Sequence, residues 1–267
     1  MRHPLTVRLR HQVAVARRWR QGGDYRQAGL LLTLTLSAAE AQFGGCAELV
    51  AEICNELGVL GKYTGRFEQA ETFYRRALHI YQDTTGVDSD AVATIYHNLG
   101  GIAHARGRYR LGEPLARRAV EIRTRLHGPD HPVVAADAAA WAALLVGCGR
   151  LDEAEVQLCR ALPTLRHEDY ERAVTAHNLA ALVHHRNDLH NAILGYTEAL
   201  RLKERVLGAN HPDLAITLVN LAGAFGRLDQ LDAARSRYTR AVSILSPVVE
   251  SDHPTLVAAR TGLSRLA

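Results

Sequence analysis

The fold is decided by a short stretch that returns at a fixed distance along the chain: GRFEQA at residues 65–70, GRYRLG at 107–112 and GRLDEA at 149–154. Related stretches end at Ala28, Ala192 and Ala234, so the successive spacings are 42, 42, 42, 38 and 42 residues. A period between about 20 and 50 residues is typical of repeat proteins, in which one supersecondary unit recurs. The chain is therefore predicted to be a stack of repeats.

A second marker keeps the same register. It is Leu-Gly at 57–58 and 99–100, Trp-Ala at 141–142, and Leu-Ala at 179–180 and 221–222. Two independent markers with one spacing are not expected by chance. The 38-residue step is assigned to the junction at residues 165–170, because this segment contains neither Gly nor Pro whereas the other late junctions end in His-Pro. We expect that junction to be four residues shorter than the others.

Each period is predicted to contain two helices. Apolar residues in the first helix of the third period recur at three- and four-residue steps, which places them on one helix face. They are Val92, Ile95, Leu99 and Ile102. Gly107 follows, and glycine tolerates the positive φ at which helices commonly end. A second helix is predicted over about residues 109–126, and an aromatic content of only 6% argues against an all-β fold.

These features resemble the tetratricopeptide repeat, in the 42-residue form of kinesin light chains and many bacterial signalling proteins. The residues that carry the resemblance are Leu57, Gly58, Ala70, Tyr74 and Ala77; Leu99, Gly100, Gly112 and Ala119; Leu179, Ala180, Ala192, Tyr196 and Ala199; and Leu221, Ala222, Ala234, Tyr238 and Ala241. Two departures occur, since Trp141 takes a leucine position and the first repeat, around Val15 and Ala16, is degenerate. The resemblance covers nearly the whole chain.

The resemblance implies an all-α fold, an α-solenoid of six helical hairpins plus a C-terminal capping helix, in one unit over residues 1–267. The hairpins are expected at about 5–42, 47–83, 90–127, 131–166, 170–207 and 212–247, and the capping helix at 254–266. In such a stack each hairpin contacts only its neighbours. We therefore expect one curved rod in which distant segments do not touch, with no separate globule to house a catalytic domain.

In the resembled family, the first helix of each hairpin lines a concave surface, so residues near the second marker are assigned to a groove. They are Asn55, Lys62, His97, Asn98, His104, His177, Asn178, His184, Asn220 and Arg227. A carboxamide offers a donor and an acceptor together, so these asparagines can pair with the backbone of an extended peptide whatever its side chains. The alternative is that the asparagines bond to the neighbouring helix or to water.

The predicted groove is mostly neutral to basic, with Glu52 and Glu56 as exceptions, and the Ala- and Val-containing stretch at 136–146 gives it an apolar floor. Arginine pairs bidentately with carboxylate or phosphate. The favoured hypothesis is therefore a non-enzymatic scaffold that binds a peptide or protein segment, acidic or phosphorylated and with an apolar anchor.

Two other functions stay open. One is a self-associating structural module, a homo-oligomer in which exposed apolar helices pair between chains. The other is nucleic-acid binding by the N-terminal arm, where six arginines from Arg2 to Arg20 precede the first acid, Asp24. The same arm is also typical of a mitochondrial presequence or of an anionic-lipid contact, but the repeat register favours a basic first helix of the fold.

Catalytic, metal and cofactor sites are not predicted. The sequence has no phosphate loop, nucleophile elbow, zinc signature or dinucleotide fingerprint. In each of the histidine pairs 97/104 and 177/184 the two members are separated by about 10 Å of helix rise, too far to share a metal ion.

The longest apolar stretch, 28–39, is too short to cross a membrane. Four cysteines without CxxC spacing favour a reducing cytoplasm, and basic residues that are nearly all arginine indicate a bacterial, GC-rich genome.

Overall fold

The computed structural model describes residues 4–165 and 167–266, and these residues form the predicted all-α fold without a strand. The helices are α1 (Pro4–Gln21), α2 (Tyr25–Phe43), α3 (Glu48–Thr64), α4 (Phe67–Thr85), α5 (Asp90–Ala105), α6 (Tyr109–His127), α7 (Pro132–Gly147), α8 (Leu151–Thr164), α9 (Asp169–His185), α10 (Leu189–Leu207), α11 (Ala215–Arg227), α12 (Leu231–Leu245) and α13 (Pro254–Ser264). A 3₁₀ helix, Pro212–Leu214, precedes α11. Successive pairs from α1–α2 to α11–α12 are called hairpins 1 to 6, and α13 closes the stack.

Parts of three sequence predictions fall outside this description. Arg2 of the basic arm, Arg166 at the end of the predicted fourth hairpin, and the outermost residues of the predicted unit 1–267 lie outside the described residues. None of the helices within 4–165 and 167–266 is both long and apolar enough to cross a membrane.

The turn inside each hairpin requires a residue with positive φ. Gly65 (φ 90°) and Gly107 (φ 67°) supply it in hairpins 2 and 3, and Asn187 (φ 67°) and Asp229 (φ 59°) supply it in hairpins 5 and 6. Asn and Asp are the residues other than glycine that tolerate this conformation best. The glycine of the repeating stretch is thus explained by the turn, which requires a positive φ. Glycine supplies this φ in the early hairpins, and short polar residues supply it in the late ones.

The 38-residue step is not in the junction, so that prediction is wrong. The junction at 165–168 is as long as the one at 128–131, whereas α8 has 14 residues and α4, α6 and α10 have 19 each. A helical turn contains about 3.6 residues. Removing four residues therefore shortens the helix by one turn while the remaining side chains keep their faces.

Small residues set how closely the two helices of a hairpin approach. A side chain at Gly58 would meet the ring of Tyr74 at 2.5 Å, and one at Gly112 would meet Ala103 and Leu144 at 2.7 Å. The buried side chains form clusters that cross hairpin boundaries, spanning hairpins 1–3, hairpins 4–5, and hairpins 5–6 with α13. Packing of this kind makes each hairpin depend on its neighbours, as in other solenoids.

The predicted rod is wrong in one respect, because the stack closes on itself. Arg66 Nη2 lies 2.6 Å from Glu250 Oε1, and His211 Nε2 donates to the carbonyl of Gln21 at 2.9 Å. These four residues are called the closure contact; they join the inner turns of hairpins 1 and 2 to the two segments that flank hairpin 6. Each repeat adds a small rotation, and over six repeats the rotation brings the ends of the stack together.

Candidate functional site

The first helices of hairpins 3 to 6 surround a cavity of about 410 Å³. It is lined by His104, Tyr109, Ala143, Val146, Gly147, His177, Asn178, Ala181, His184, His185, Tyr196, Ile216, Asn220 and Arg227. Six predicted groove residues are brought together here: His104, His177, Asn178, His184, Asn220 and Arg227. The other four, Asn55, Lys62, His97 and Asn98, are not part of its wall.

Among the wall residues that the sequence did not identify are two tyrosines and an isoleucine. Tyr109 begins α6, Tyr196 lies in α10, and Ile216 lies in α11. Ile216 could have been found, because it lies one helical turn before Asn220 on the same face of α11. The two tyrosines come from second helices, which the assignment of the groove to first helices left out.

His177 is the polar centre of the cavity. Its Nδ1 lies 3.0 Å from Thr217 Oγ1, its Nε2 lies 3.4 Å from Asn220 Nδ2, and its ring centroid lies 5.4 Å from that of Tyr196. Burial holds the pKa of His177 well below its usual value, and the charge of Lys203 acts in the same direction. The neutral ring then accepts from Asn220 and donates to Thr217, which links α9 to α11.

The asparagines hold neighbouring hairpins together. Asn98 Nδ2 donates to Asn55 Oδ1 at 2.8 Å, and Asn178 Nδ2 donates to the carbonyl of Ala139 at 2.9 Å. The Asn220–His177 contact is of the same kind. In all three contacts the carboxamide bonds to the neighbouring helix, which is the alternative to peptide binding given in the sequence analysis. Asn178 is buried, so its donor is not free to bind the backbone of a ligand.

His97 is held by a buried acid of the next hairpin. Its Nδ1 lies 2.8 Å from Asp137 Oδ1, and Arg123 Nη1 donates to both oxygens of the same carboxylate at 2.9 and 3.0 Å. Asp137 is 2% exposed, and two cationic or polar partners satisfy it. The side chain of His97 therefore serves the interface between hairpins 3 and 4.

The expected basic character of the groove is neutralised at its N-terminal end. Arg17 Nη2 lies 2.8 Å from Glu56 Oε1 and 3.7 Å from Glu52 Oε1, and Arg20 Nε lies 3.5 Å from Glu56 Oε2. Arg10 also approaches Glu52, at 4.0 Å. The two acids that the sequence presented as exceptions are thus the partners of the arginines that were expected to attract a ligand.

Two further histidines of the cavity wall have lowered pKa values. Desolvation inside the groove lowers the pKa of His104 to about 4, with Lys62 acting in the same direction, and it lowers that of His184, with Arg227 adding to the effect. Burial also lowers the pKa of Lys62, against the opposing charge of Asp213. Arg227, whose Nη2 donates to Asn187 Oδ1, is the cation of the cavity wall. Within the described part of the chain, no cluster of three or more His, Cys, Asp or Glu side chains could hold a metal ion.

Comparison with known proteins decides the family. The family described as Tetratricopeptide repeat matches residues 49–111, 91–167 and 171–246, which is well over half of the chain. The chain is a tetratricopeptide repeat protein. Such repeats bind protein or peptide partners and form non-enzymatic scaffolds, which agrees with the predicted class of function.

Three solved structures share the fold of this tetratricopeptide repeat protein. A putative kinesin light chain of Podosopora anserina with nearly identical TPR-like repeats is 19% identical, with a TM-score of 0.59, 78% of this chain covered and 100% of that one. BtubC (BKLC) from P. vanneervenii is 22% identical, with a TM-score of 0.54 and coverage of 90% and 91%. A Rap protein complexed with Competence and Sporulation Factor is 14% identical, with a TM-score of 0.59 and coverage of 97% and 85%. No curated protein matches the sequence.

Proposed function

We propose that this tetratricopeptide repeat protein binds an extended peptide or protein segment in the cavity of hairpins 3 to 6, and that the segment is acidic with one apolar anchor. The observation that carries the proposal is the composition of the wall. No acid occurs among the described residues that line the cavity, while Arg227 offers a guanidinium fork for carboxylate or phosphate. The predicted cytoplasmic location and bacterial origin remain part of this proposal.

The apolar anchor is assigned to the side of the cavity formed by α11. Ile216 of this helix is 37% exposed although it is a large apolar side chain inside a concave surface. An apolar ligand group placed against Ile216 would remove this surface from water. The acid of the same ligand would then meet Arg227, three turns further along α11.

The neutral histidines give the proposal a second support. His104 and His184 present donors and acceptors without adding like charges next to Arg227, so a polar ligand backbone can bond to the wall without competing for the cation. The Rap protein of similar fold was solved in complex with Competence and Sporulation Factor, which supports ligand binding by a solenoid of this size.

The test is selection from a displayed library of acid-enriched peptides. The wild type is expected to enrich acidic peptides that carry one large apolar residue, and Arg227→Glu is expected to lower their affinity by at least about tenfold, since a repelling charge replaces the pairing one. Arg201→Glu is the matched control, because Arg201 pairs with Glu198 on the exposed surface of α10. Equal enrichment by wild type and Arg227→Glu would refute the assignment, and so would the absence of any enriched peptide.

Self-association is the second candidate, and one observation favours it. Leu30 and Leu34 are 57% and 70% exposed and lie one turn apart on α2 of the terminal hairpin. Sedimentation at micromolar concentration is expected to show a dimer if this stripe pairs between chains, and Leu34→Glu should then return the protein to a monomer.

The third candidate, nucleic-acid binding, loses support because Arg10, Arg17 and Arg20 are paired with acids.

A further inference from the structure

Arg227, the cation of the cavity wall, is held by the turn of the preceding hairpin. Its Nη2 donates to Oδ1 of Asn187, the residue with a φ of 67° between α9 and α10. The backbone N–H of Asn187 donates to the carbonyl of His184 at 3.0 Å, and that of Asp188 donates to the carbonyl of Val183 at 3.2 Å. The carboxamide that holds Arg227 is therefore carried by a backbone whose position is fixed by the end of α9.

Two other arginines at the ends of first helices are held differently. Arg186, which follows α9, donates to Asp152 Oδ1 at 2.7 Å and to Glu155 Oε2 at 2.8 Å. Arg106, which follows α5, lies within 3.6 Å of two acids of α4. In both cases the partners are acids on the second helix of the preceding hairpin, so the charge of the arginine is neutralised. Arg227 is bonded to an uncharged side chain instead, and no ion pair with Arg227 occurs among the described residues.

The acid next to this turn is engaged elsewhere. Asp188 Oδ1 accepts from the backbone N–H of Asn191 at 3.3 Å, and its Oδ2 accepts from Asn191 Nδ2 at 2.7 Å, so this side chain caps α10. A guanidinium carries more N–H donors than a single acceptor uses, and the remaining donors suit a carboxylate or phosphate. Asn187 and Arg227 are both exposed. The cation is thus held in place while its charge stays uncompensated and open to a ligand.

The turn position accepts three residue types in this chain. Hairpin 5 has Asn187, hairpin 6 has Asp229 with a φ of 59°, and the first four hairpins have glycine. These glycines are Gly23, Gly65, Gly107 and Gly149. Glycine at the position of Asn187 would form the turn but would offer no acceptor to Arg227, and aspartate would form it but would neutralise the cation. Asparagine combines the left-handed backbone with an uncharged acceptor.

We infer that Asn187 is a positioning residue of the cavity, which holds the Arg227 guanidinium for an acidic group of the ligand without neutralising it. The inference rests on the proposed function, because there Arg227 pairs with the acid of the bound segment. A side chain that is already held loses less conformational freedom when a ligand binds, which raises the affinity. The uncompensated charge makes the site discriminate between an acid and its uncharged amide.

The experiment measures, by fluorescence anisotropy, the affinity of an acidic peptide enriched by the wild type and of the same peptide with each acid replaced by its amide. Asn187→Asp places a carboxylate beside Arg227 and is expected to weaken the acidic peptide about fivefold at low salt, with a smaller loss at about 1 M salt. Asn187→Gly keeps the turn but removes the acceptor, and it is expected to weaken the acidic peptide about threefold. Neither substitution should change the affinity of the amide peptide.

Asp229→Gly is the matched control, because it makes the same kind of replacement in the equivalent turn of hairpin 6. It should not weaken the acidic peptide. Thermal unfolding should be similar in all variants, since this chain itself uses glycine, asparagine and aspartate at the turn.

The outcomes separate this inference from the proposed function. If Arg227→Glu weakens the acidic peptide but Asn187→Gly binds it as the wild type does, the positioning role is overturned and the proposed function stands. An equal loss for the acidic and the amide peptide would also overturn the role, because it would indicate a general structural effect. If Arg227→Glu leaves the affinity unchanged, or if no peptide is enriched, the proposed function is refuted and the inference with it.

Discussion

Hairpins 1–2 and hairpins 3–6 are built from the same repeat, yet their inner faces differ in charge. At the N-terminal end Glu52 and Glu56 neutralise the arginines of α1. Among the described residues around the cavity of hairpins 3–6 there is no acid. Asp137 pairs instead with His97 and Arg123, and Asp213 accepts a hydrogen bond from Tyr170. Which side chains are left for a ligand is therefore decided by pairing between adjacent hairpins.

Substitutions in the two regions are expected to affect different properties, stability in hairpins 1–2 and ligand binding in hairpins 3–6. In hairpins 1–2 the arginines and acids of the inner face are joined in ion pairs, so substitutions of these residues should change stability first. In hairpins 3–6 Arg227 and Ile216 retain exposed surface, so substitutions there should change binding with little effect on stability. Three measurements test this division.

Removing the buried acid of hairpin 2 should have the largest effect. Glu56 is 4% exposed, and its replacement in Glu56→Gln leaves Arg20 without a compensating charge and Arg17 with only the longer pair to Glu52. Breaking a buried ion pair on one side costs about 3 to 5 kcal/mol; because Arg17 is partly exposed, we expect about 3 kcal/mol from urea unfolding. Glu198→Gln, in an exposed pair with Arg201, should change the free energy of unfolding by less than about 0.5 kcal/mol. Equal effects of the two substitutions would contradict the division.

The second measurement compares two glycines of first helices. In Gly58→Ala the new methyl group meets the ring of Tyr74 at 2.5 Å, and we expect a loss of about 2 kcal/mol because the packed ring has little room to move. A methyl group at Gly226 meets nothing within 4 Å, so Gly226→Ala should be neutral or stabilising by up to about 1 kcal/mol through helix propensity. Thermal unfolding of both variants checks the difference, and a destabilised Gly226→Ala would show that hairpin 6 is packed as tightly as hairpin 2.

The smallest effect is a dependence on pH. Because the pKa of His177 is lowered in the folded protein, the unfolded chain binds more protons below about pH 6.5, and stability falls as the pH falls through that range. Between pH 6.5 and 5.5 the contribution of His177 is about 1 kcal/mol. His177→Gln should show a correspondingly shallower loss of stability over this interval, measured by urea unfolding at each pH. An unaltered slope in His177→Gln would mean that the ring is not the titrating group.

Much of the fold followed from local patterns. The 42-residue spacing and the three- and four-residue apolar steps predicted the helices and the hairpins, because helix periodicity and turn chemistry depend on residues close in sequence. The step of 38 residues was detected but assigned to the junction, since a shortened helix and a shortened loop give the same spacing. The observed shortening of α8 keeps the helix faces aligned, and spacing alone does not show it.

The candidate site was predicted in part. Six residues that the sequence assigned to one face do surround one cavity, because residues at repeat-equivalent positions stack. They are His104, His177, Asn178, His184, Asn220 and Arg227. The roles of Asn55, Asn98 and His97 were less predictable, as their partners come from neighbouring repeats and no spacing in the sequence identifies them. Tyr109 and Tyr196 were missed because they reach the cavity from second helices.

By itself, the sequence determined the register of the repeats, the helical hairpins and the face from which the cavity is built, since each of these depends on interactions within a few turns of chain. Only the tertiary structure decided that the stack closes, that the arginines of α1 are neutralised, and that the neutral histidines surround Arg227. The reason is physical: a small rotation between adjacent hairpins leaves no periodic signal, yet summed over six repeats it brings Arg66 to Glu250, 184 residues apart.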